Sequence, residues 1–368
     1  MANNPDSLMM AESSHSVYVN RLASQEVNKL NEFWGSYLRL LQNALGGYDS
    51  AMTQRQFNKL IKDVDGVITA NMEEWQHQLT LDLDEFAEYE TDFQARMIGA
   101  VTDQDIAVPA SSQVIAAAIA NPIQTGAGAI QFEQWLTNIS SQQRQRVEGE
   151  IKLGYANGVP TNTIVQRIVG TRANKFTDGI ADVDRRSAVT LVRTSTNHYA
   201  NEARKQVYKE NKRVVIGHRW VSTLDKRTSS ICRDRDGDVY IYADDKPVYY
   251  PPAHPNCRSS TSPVVKGYNV NNPNGKRSSK GGKIVDGELK QDPKQVSATQ
   301  TYYDWLKGQP AQFQDEVLGQ TKGKIFRNSG VSVEKFKTLM IDRMNKPMTI
   351  DQMAAKDQQI ADYLKSLK

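Results

Sequence analysis

The sequence has few residues of the kinds that cross-link a chain or ligate a metal. It contains two cysteines, Cys232 and Cys257, and five histidines among 368 residues. A small secreted protein held by disulfides carries many more cysteines in a shorter chain, so that class is excluded. In a reducing compartment, two lone cysteines are expected to be buried thiols or metal ligands.

Long apolar stretches are also missing. No run of about 18 consecutive apolar residues occurs, so the sequence predicts no membrane-spanning segment. The first residues, Met1 to Ser14, are polar and lack the basic start and apolar run of a secretory signal. We therefore expect the protein to be made, and to act first, in a cytoplasm.

Charge is unevenly spread along the chain, although the net charge is only +4. Residues 1–100 carry seven Lys/Arg against fifteen Asp/Glu, whereas residues 151–230 carry fifteen against six. An acidic front and a basic middle are typical of a chain that contacts both a protein assembly and a polyanion. Two solvated helix faces would give the same pattern.

Residues 1–100 are predicted to form long amphipathic helices. Apolar residues recur at three- and four-residue steps from Val27 to Leu45, and Gly46-Gly47 ends that run. A second run with this spacing extends from Ile68 to Met97, and its other face is rich in Asp and Glu. Such a stripe packs on partner helices of the same chain or of another protein.

The rest of the chain divides into three parts. Residues 101–265 are predicted to form a helical core with a small antiparallel sheet at 213–265, where apolar runs such as Val248 to Tyr250 alternate with turn residues. Residues 266–299 are rich in Asn, Gly, Lys and Ser, which predicts a flexible, disordered linker. Residues 300–368 are predicted to form a helical C-terminal module. The predicted fold class is thus α+β, mainly helical.

Three residues of the predicted sheet region have metal-binding side chains. Cys232, His254 and Cys257 could surround one tetrahedral ion such as zinc, because His254 and Cys257 lie three apart in a Pro-containing turn that lets their side chains converge. Asp225, His218 or a water molecule could supply a fourth ligand. Two other interpretations stay open: buried thiols beside a backbone-bonded His254, or a disulfide formed outside the cell.

Motifs of a nucleotide-binding or hydrolytic enzyme are missing. The sequence has no Walker P-loop, no GxGxxG after a strand and no HExxH. Cys257 and His254 have the residue types of a nucleophile and a base, but no third orienting group stands out. We predict no enzymatic activity, and the alternative is a metal-dependent nuclease or hydrolase centred on His254 and Cys257.

Basic residues concentrate on one predicted helix, which extends from about Asp184 to Asn211 with Asp184 as its N-cap. The candidate DNA contacts on this helix are Arg185, Arg186, Arg204 and Lys205. Contacts of Lys and Arg with phosphates need no base sequence and weaken with salt. A solvated amphipathic helix is the alternative interpretation.

The sheet region also contains a string of residues with a recognisable order. The string is Trp220, Asp225, Arg227, Thr228, Cys232, Gly237, His254, Pro255, Cys257 and Arg258. It resembles the motif of the phage Mu F-like minor head protein family, and the segments Gly154 to Ile168 and Arg193 to Ala203 are similar to that family as well. Tyr303 to Lys322 resembles a segment that often follows this domain. The family's closing Cys-Arg-Cys is Cys-Arg-Ser here, so Ser259 replaces one possible metal ligand.

The resemblance implies a low-copy component of the phage head, assembled in the host cytoplasm and located inside the capsid at the portal vertex. It implies a role in head morphogenesis and in DNA packaging or ejection. The portal protein is the implied partner, together with the major capsid or scaffolding protein and nonspecifically bound phage DNA. Structural roles are implied for Trp220, Asp225, Arg227, Thr228, Gly237, Pro255 and Arg258. We take residues 1–100 as the first candidate for the portal contact. The alternative to a portal-associated role is that of an internal protein that binds DNA and is ejected.

Overall fold

The computed structural model describes residues 6–125, 128–268, 275–342 and 346–367. Helices dominate these residues, and the strands form three small sheets. The prediction of a mainly helical α+β protein is therefore confirmed.

Two long helices, α1 (Asp6–Leu45) and α2 (Gln54–Thr102), form an antiparallel hairpin. Thr53 caps α2 with a reciprocal capping box, in which its hydroxyl accepts from the Gln56 N–H and the Gln56 side chain accepts from the Thr53 N–H. Most of the apolar stripes predicted for both helices is buried in one core shared with later helices of the same chain, and the last residues of the second stripe, Phe93 and Met97, pack in another cluster. Their burial therefore does not require a partner protein.

A third long helix, α6 (Ile180–Glu210), packs against both members of this hairpin. Around it lie α3 (Ser111–Ala120), α4 (Phe132–Ala156) and α5 (Thr161–Val169), with a short hairpin of β1 (Ile123–Thr125) and β2 (Gly128–Ile130). Because neighbours surround α6, twenty of its 31 residues are buried, including many polar ones. Its predicted start at Asp184 is wrong: the helix begins one turn earlier, after Gly179, and Asp184 is 1% exposed inside it.

The predicted antiparallel sheet consists of β3 (Val215–Val221), β5 (Val239–Ile241) and β6 (Ser260–Val265), in the order β5-β3-β6. The short helix α7 (Ser230–Arg235) lies between β3 and β5 in sequence. No strand forms at residues 248–250, so that prediction is wrong. The carbonyl of Tyr249 accepts a hydrogen bond from the His218 ring instead of pairing with a strand.

The disordered linker predicted for residues 266–299 is wrong over most of its length. Strands β7 (Lys276–Val285) and β8 (Glu288–Ser297) form a ten-pair antiparallel hairpin, and β7 also pairs in parallel with β4 (Leu224–Asp225). Asp286 and Gly287 form its turn with φ values of 52° and 77°. Backbone pairing with β8 along its whole length, and with β4 at Ser279 and Lys280, holds β7 without an apolar pattern. Residues 269–274 lie outside the described part of the chain.

The C-terminal region is helical, as its apolar spacing predicts. It contains α8 (Tyr302–Lys307), α9 (Ala311–Leu318), α10 (Gln320–Asn328), α11 (Val333–Thr338), α12 (Ile350–Lys356) and α13 (Gln358–Ser366). The predicted core residues of this region, from Trp305 to Met340, are buried in one cluster together with Leu224 of β4. Apart from the linker, the division of the chain into domains remains a prediction. Across the described residues, no helix is both long enough and apolar enough to cross a membrane.

Candidate functional site

The motif residues converge where α6 meets the β5-β3-β6 sheet and the turn before β6. Trp220, near the end of β3, is buried, and its indole N–H donates to the Ser222 hydroxyl at 3.0 Å. The indole forms a small apolar cluster with Cys232 and Cys257. Gly237 follows α7 with a φ of 84°, and its N–H donates to the Trp220 carbonyl at 3.0 Å. The motif tryptophan and glycine therefore fix the backbone around the two cysteines.

Asp225 organises the turn that follows β4. Arg258 donates to its two carboxylate oxygens at 2.6 and 2.8 Å, the bidentate geometry of a strong ion pair. The carboxylate also accepts from the Arg227 N–H at 3.0 Å and the Thr228 hydroxyl at 3.1 Å. Burial opposes ionisation of Asp225, but the Arg258 contacts outweigh it and lower the pKa of Asp225. The side chain of Arg227 is mostly exposed.

A second buried ion pair lies beside this turn, and the sequence interpretation missed it. Arg277 of β7 donates to the two carboxylate oxygens of Asp236 at 2.9 and 3.0 Å, and both side chains are almost fully buried. The Ser222 N–H also donates to Asp236, at 2.7 Å. The sequence signal for the strand that carries Arg277 is the turn pair Asp286-Gly287. This ion pair thus connects the β7–β8 hairpin to the motif.

The three candidate metal ligands lie together. The ligand atoms of Cys232, His254 and Cys257 are all within 4.8 Å of one another. Cys232 Sγ lies 3.2 Å from His254 Nε2 and 3.6 Å from Cys257 Sγ, and both cysteines are free. His254 Nδ1 donates to the Pro255 carbonyl at 2.8 Å, while Nε2 lies 2.7 Å from the Ser229 hydroxyl. The predicted convergence of these side chains is therefore present in the fold.

The electrostatics of this group favour a thiolate. Burial disfavours the charged form of Cys257, but hydrogen bonds from Cys232 and His254 outweigh it and hold the pKa of Cys257 well below its usual value. Burial also disfavours the His254 imidazolium, but the hydrogen bond to Cys257 outweighs it and raises the pKa of His254. The hydrogen bond to Cys257 and burial raise the pKa of the Cys232 thiol. Such a group can bind a metal ion, form a disulfide or supply a nucleophile.

Of these three possibilities, the burial of both cysteines argues against nucleophilic catalysis. Cys232 and Cys257 are each only 2% exposed, so a substrate cannot approach either sulfur in this conformation. Reactive cysteines in enzymes lie in partly exposed surroundings.

Neither predicted fourth ligand belongs to the group. The ring of His218 donates to the Tyr249 carbonyl at 2.9 Å, and burial lowers the pKa of His218 to about 4. Asp225 is committed to Arg258, as described above. Both predictions are therefore wrong, since the metal-binding group within the described ranges contains neither residue. Ser259 is the polar neighbour instead: it is 2% exposed and its hydroxyl is hydrogen-bonded to Cys232.

The predicted DNA contact by Arg204 is wrong. Its guanidinium is 1% exposed and lies 2.9 Å from one carboxylate oxygen of Glu12 and 2.9 Å from one of Glu90. Both carboxylates are fully buried between α1, α2 and α6. Burial raises the pKa of the Glu12 carboxyl, whereas Arg204 overcomes the effect of burial on Glu90 and lowers its pKa. Arg204 therefore joins three helices and does not reach a ligand.

The other three predicted DNA contacts lie nearer the surface, but each has an acidic partner. Arg185 and Arg186 share the Asp182 carboxylate, at 2.7 and 3.2 Å, and Lys205 lies 3.2 Å from Glu202. Arg186 is the most exposed of the three. Contact of these residues with DNA remains a prediction.

A cavity of about 460 Å³ opens beside the motif, between α1, α6, the Asp225 turn and β7. Its lining contains one carboxylate, that of Asp225, and five cationic side chains: Arg193, Arg204, Arg227, Arg258 and Lys280. Serine side chains supply much of the remaining polar lining, and the buried hydroxyl of Ser260 has no hydrogen-bond partner. Arg204 and Arg258 are committed to buried carboxylates, so Arg193, Arg227 and Lys280 are the cations that, together with the hydroxyl donors, suit a phosphate or a similar anion.

One protein family matches the part of the chain that contains these residues. Residues 113–262 match a protein family described as "Phage Mu protein F like protein". The matched segment begins in α3, includes all of α6 and the three potential metal ligands, and ends within β6. No curated protein and no solved structure matches the chain. The family is one of phage head morphogenesis proteins. The resemblance of the motif is thereby confirmed over residues 113–262, which are similar to the phage Mu protein F-like family.

Proposed function

We propose that the chain is a minor head protein of a tailed phage, associated with the portal vertex and acting in head morphogenesis and in DNA packaging or ejection. The observation that carries this proposal is the match of residues 113–262 to a phage head family. The burial of both cysteines supports a structural role over a catalytic one. Two surfaces of the protein suit the two partners that such a role requires.

The first surface is the outer face of α2, which we assign to the portal contact. Glu74, Leu81, Glu85 and Glu88 follow one another at helical spacing, so they lie on one face of the helix. All four are exposed, and Leu81 is 48% exposed. The opposite face of α2 is buried in the chain's own core, which leaves this acidic face for a partner. A basic surface on the portal protein would complement it.

Deleting residues 1–100 would not test this contact, because those residues supply much of the core. Charge reversal keeps the core intact. We expect Glu74→Lys with Glu85→Lys and Glu88→Lys to reduce co-purification of the full-length chain with the portal protein by at least roughly tenfold. The matched control is reversal of three exposed acids elsewhere, Glu334, Asp351 and Asp362. Equal recovery of the portal protein with both variants would refute this assignment.

The second surface is the cation-lined cavity, which we assign to contact with phage DNA. Arg193, Arg227 and Lys280 are exposed at the cavity and approach it from α6, from the Asp225 turn and from β7. Their convergence from three elements distinguishes them from cations scattered along one helix. Backbone phosphates would be bound without base recognition, as expected for a head protein that meets any packaged sequence.

This assignment is tested by the salt dependence of binding to nonspecific duplex DNA. Each lost phosphate contact lowers the slope of log affinity against log salt by about one. We expect Arg193→Ala with Arg227→Ala and Lys280→Ala to lower that slope by roughly two to three. Lys59, Arg96 and Lys152 are exposed cations paired with acids four residues away, and their alanine variants are the control. An unchanged slope in the cavity variant would place the DNA contact elsewhere.

A further inference from the structure

We propose that Cys232, His254 and Cys257 bind one zinc ion, which joins α7 to the turn before β6. The proposal rests on the positions of the ligand atoms, on the hydrogen bonds that orient them and on a small cavity beside them. It concerns the stability of the domain and is independent of its partners in the phage head.

The spacing of the three ligand atoms fits a tetrahedral ion. Two sulfurs at about 2.3 Å from zinc and at tetrahedral angles lie about 3.8 Å apart, and a sulfur and a nitrogen lie about 3.6 Å apart. The corresponding distances are 3.6 Å between the sulfurs of Cys232 and Cys257 and 3.2 Å between Cys232 Sγ and His254 Nε2. These two distances are within a few tenths of an ångström of the tetrahedral values, and the third, between His254 and Cys257, is within 4.8 Å.

The ligands are also held in a suitable orientation by their neighbours. The Pro255 carbonyl accepts a hydrogen bond from His254 Nδ1, which leaves the Nε2 lone pair to face Cys232. Zinc-binding histidines commonly use the second ring nitrogen in this way. Asn197 of α6 donates to the Cys257 carbonyl at 2.5 Å, and Ser229 caps the start of α7 just before Cys232. Each ligand is thus fixed by a separate element before any ion binds.

Space for a fourth ligand lies on the open side of the group. A cavity of about 10 Å³, close to the size needed for one water molecule, touches two of the three ligands, Cys232 and His254. Its polar lining includes the hydroxyls of Ser229 and Ser259 and the side chains of Arg227 and Arg258. The fourth position therefore belongs to a water molecule or to the hydroxyl of Ser259 or Ser229. Two thiolates and a neutral imidazole favour zinc over magnesium or calcium, which prefer oxygen ligands.

Charge balance makes this arrangement compatible with burial. On binding, the three ligands together release the protons that they hold, so that two thiolates and a neutral imidazole face the ion and the two thiolates neutralise its charge. The ion would link residues 22 and 25 positions apart in the sequence and hold the layer formed by Trp220 and the two cysteines. No redox change and no catalytic step is involved.

The experiment is a zinc measurement on the full-length protein, purified under reducing conditions without chelator, by mass spectrometry of the metal and of the intact chain. We expect close to one zinc per chain and both thiols reduced. Less than about one tenth of a zinc per chain, even after incubation with zinc chloride, would overturn the proposal. An intact mass two daltons low, from a Cys232–Cys257 disulfide, would do the same and assign the pair to a redox role.

A variant that adds a ligand tests the proposed zinc site even if removal of a ligand unfolds the protein. We expect Ser259→Cys to add a fourth thiolate and raise the zinc affinity by more than roughly tenfold in competition with a chelator. Ser260→Cys, one residue further along, is the matched control, because Ser260 lines the large cavity and not the small one. His254→Ala should lower zinc content, whereas alanine at the exposed His77 should not. Equal affinities for the two cysteine variants would contradict the proposed geometry.

Discussion

At the scale of single residues, the strongest constraint in the core is a charged cluster. Arg204 of α6 lies between Glu12 of α1 and Glu90 of α2, and Glu90 also lies 2.5 Å from His15. All of these side chains are buried. Removing one member of such a cluster leaves an uncompensated charge in a medium that cannot solvate it.

We therefore expect Arg204→Met to lower the free energy of unfolding by about 3–5 kcal/mol, measured by urea denaturation. The control replaces Arg204 together with both of its acidic partners, with Glu12→Leu and Glu90→Met added to Arg204→Met. Because apolar groups of similar volume can substitute for a complete buried ion pair, the triple variant should recover most of the loss. A single variant as stable as the original protein would show that the cluster is hydrated or absent. DNA affinity should not change in either variant if folding is preserved.

A second residue-scale prediction concerns pH. Asp184 of α6 pairs with Arg146, yet its side chain is 1% exposed, and one of its carboxylate oxygens has no hydrogen-bond partner. Burial outweighs Arg146 and raises the pKa of Asp184 from 3.8 to about 6. The folded state thus holds this proton more tightly than the unfolded state. The resulting stabilisation is complete below the unfolded pKa and is lost as the pH rises through about 6.

Asparagine resembles the protonated form at every pH. We expect Asp184→Asn to match the original protein near pH 4 and to be more stable above about pH 7, by on the order of 2 kcal/mol. Thermal or urea unfolding across this pH range measures the difference. Lower stability of the variant at high pH would mean that the Arg146 contact outweighs burial.

Single residues differ in how far the sequence alone predicts them. Cys232, His254 and Cys257 were predictable as a group, because few other residues in the chain can bind a soft metal and two of them share a turn. Arg204 was not, because basic residues on a helix normally face solvent. Its burial follows from neighbours on every side of α6, which no local pattern reveals.

At the scale of secondary-structure elements, the β7–β8 hairpin tests the fold most directly. Its strands are rich in Lys, Ser, Gly and Gln, a composition that otherwise predicts disorder. We expect the amides of β7 to exchange with deuterium at least about 100-fold more slowly than those of an unfolded chain. The loop from Ala243 to Val248, which belongs to no helix or strand, is the internal control for fast exchange. Equally fast exchange in β7 and in this loop would restore the linker interpretation.

The elements that the sequence predicts well are those with a long periodic pattern. The stripes of α1 and α2 repeat over many turns, so their helices follow directly from the spacing of apolar residues. The hairpin escapes such an analysis because its stability comes from backbone pairing, from the Arg277–Asp236 ion pair and from contact with the C-terminal helices. The apolar run at Val248 to Tyr250 misleads in the opposite direction, because the ring of Tyr250 packs on His218 and that of Tyr249 on Tyr240, outside any strand.

At the scale of the whole molecule, the motif joins parts of the chain that are far apart in sequence. The Tyr302 hydroxyl donates to the Asp225 carbonyl at 2.7 Å, Arg233 donates to the Val317 carbonyl at 3.0 Å, and Lys337 pairs with Asp238 at 2.7 Å. These contacts attach the C-terminal helices directly to the segment that is similar to the phage Mu protein F-like family. Zinc at the proposed site would hold α7, which carries Arg233, against the turn before β6.

The fold of the whole molecule also shows where the unevenly distributed charges of the sequence lie. Seven of the fifteen acidic residues of the first hundred positions are exposed on α2, whereas the cations around the motif line a cavity. A protein that contacts an assembly with one surface and DNA with another is expected to separate charge in this way. The sequence predicts the uneven distribution of charge, but only the fold shows which cationic side chains are exposed.

The central claim is that this chain is a component of the phage head. The most direct test is quantitative mass spectrometry of the chain in purified DNA-filled particles and in the same particles after DNA release, with the portal protein as internal reference. The account predicts the chain in both samples at the same ratio to the portal protein and far below the major capsid protein. Its absence from both, at a sensitivity that detects the portal protein, would contradict the account.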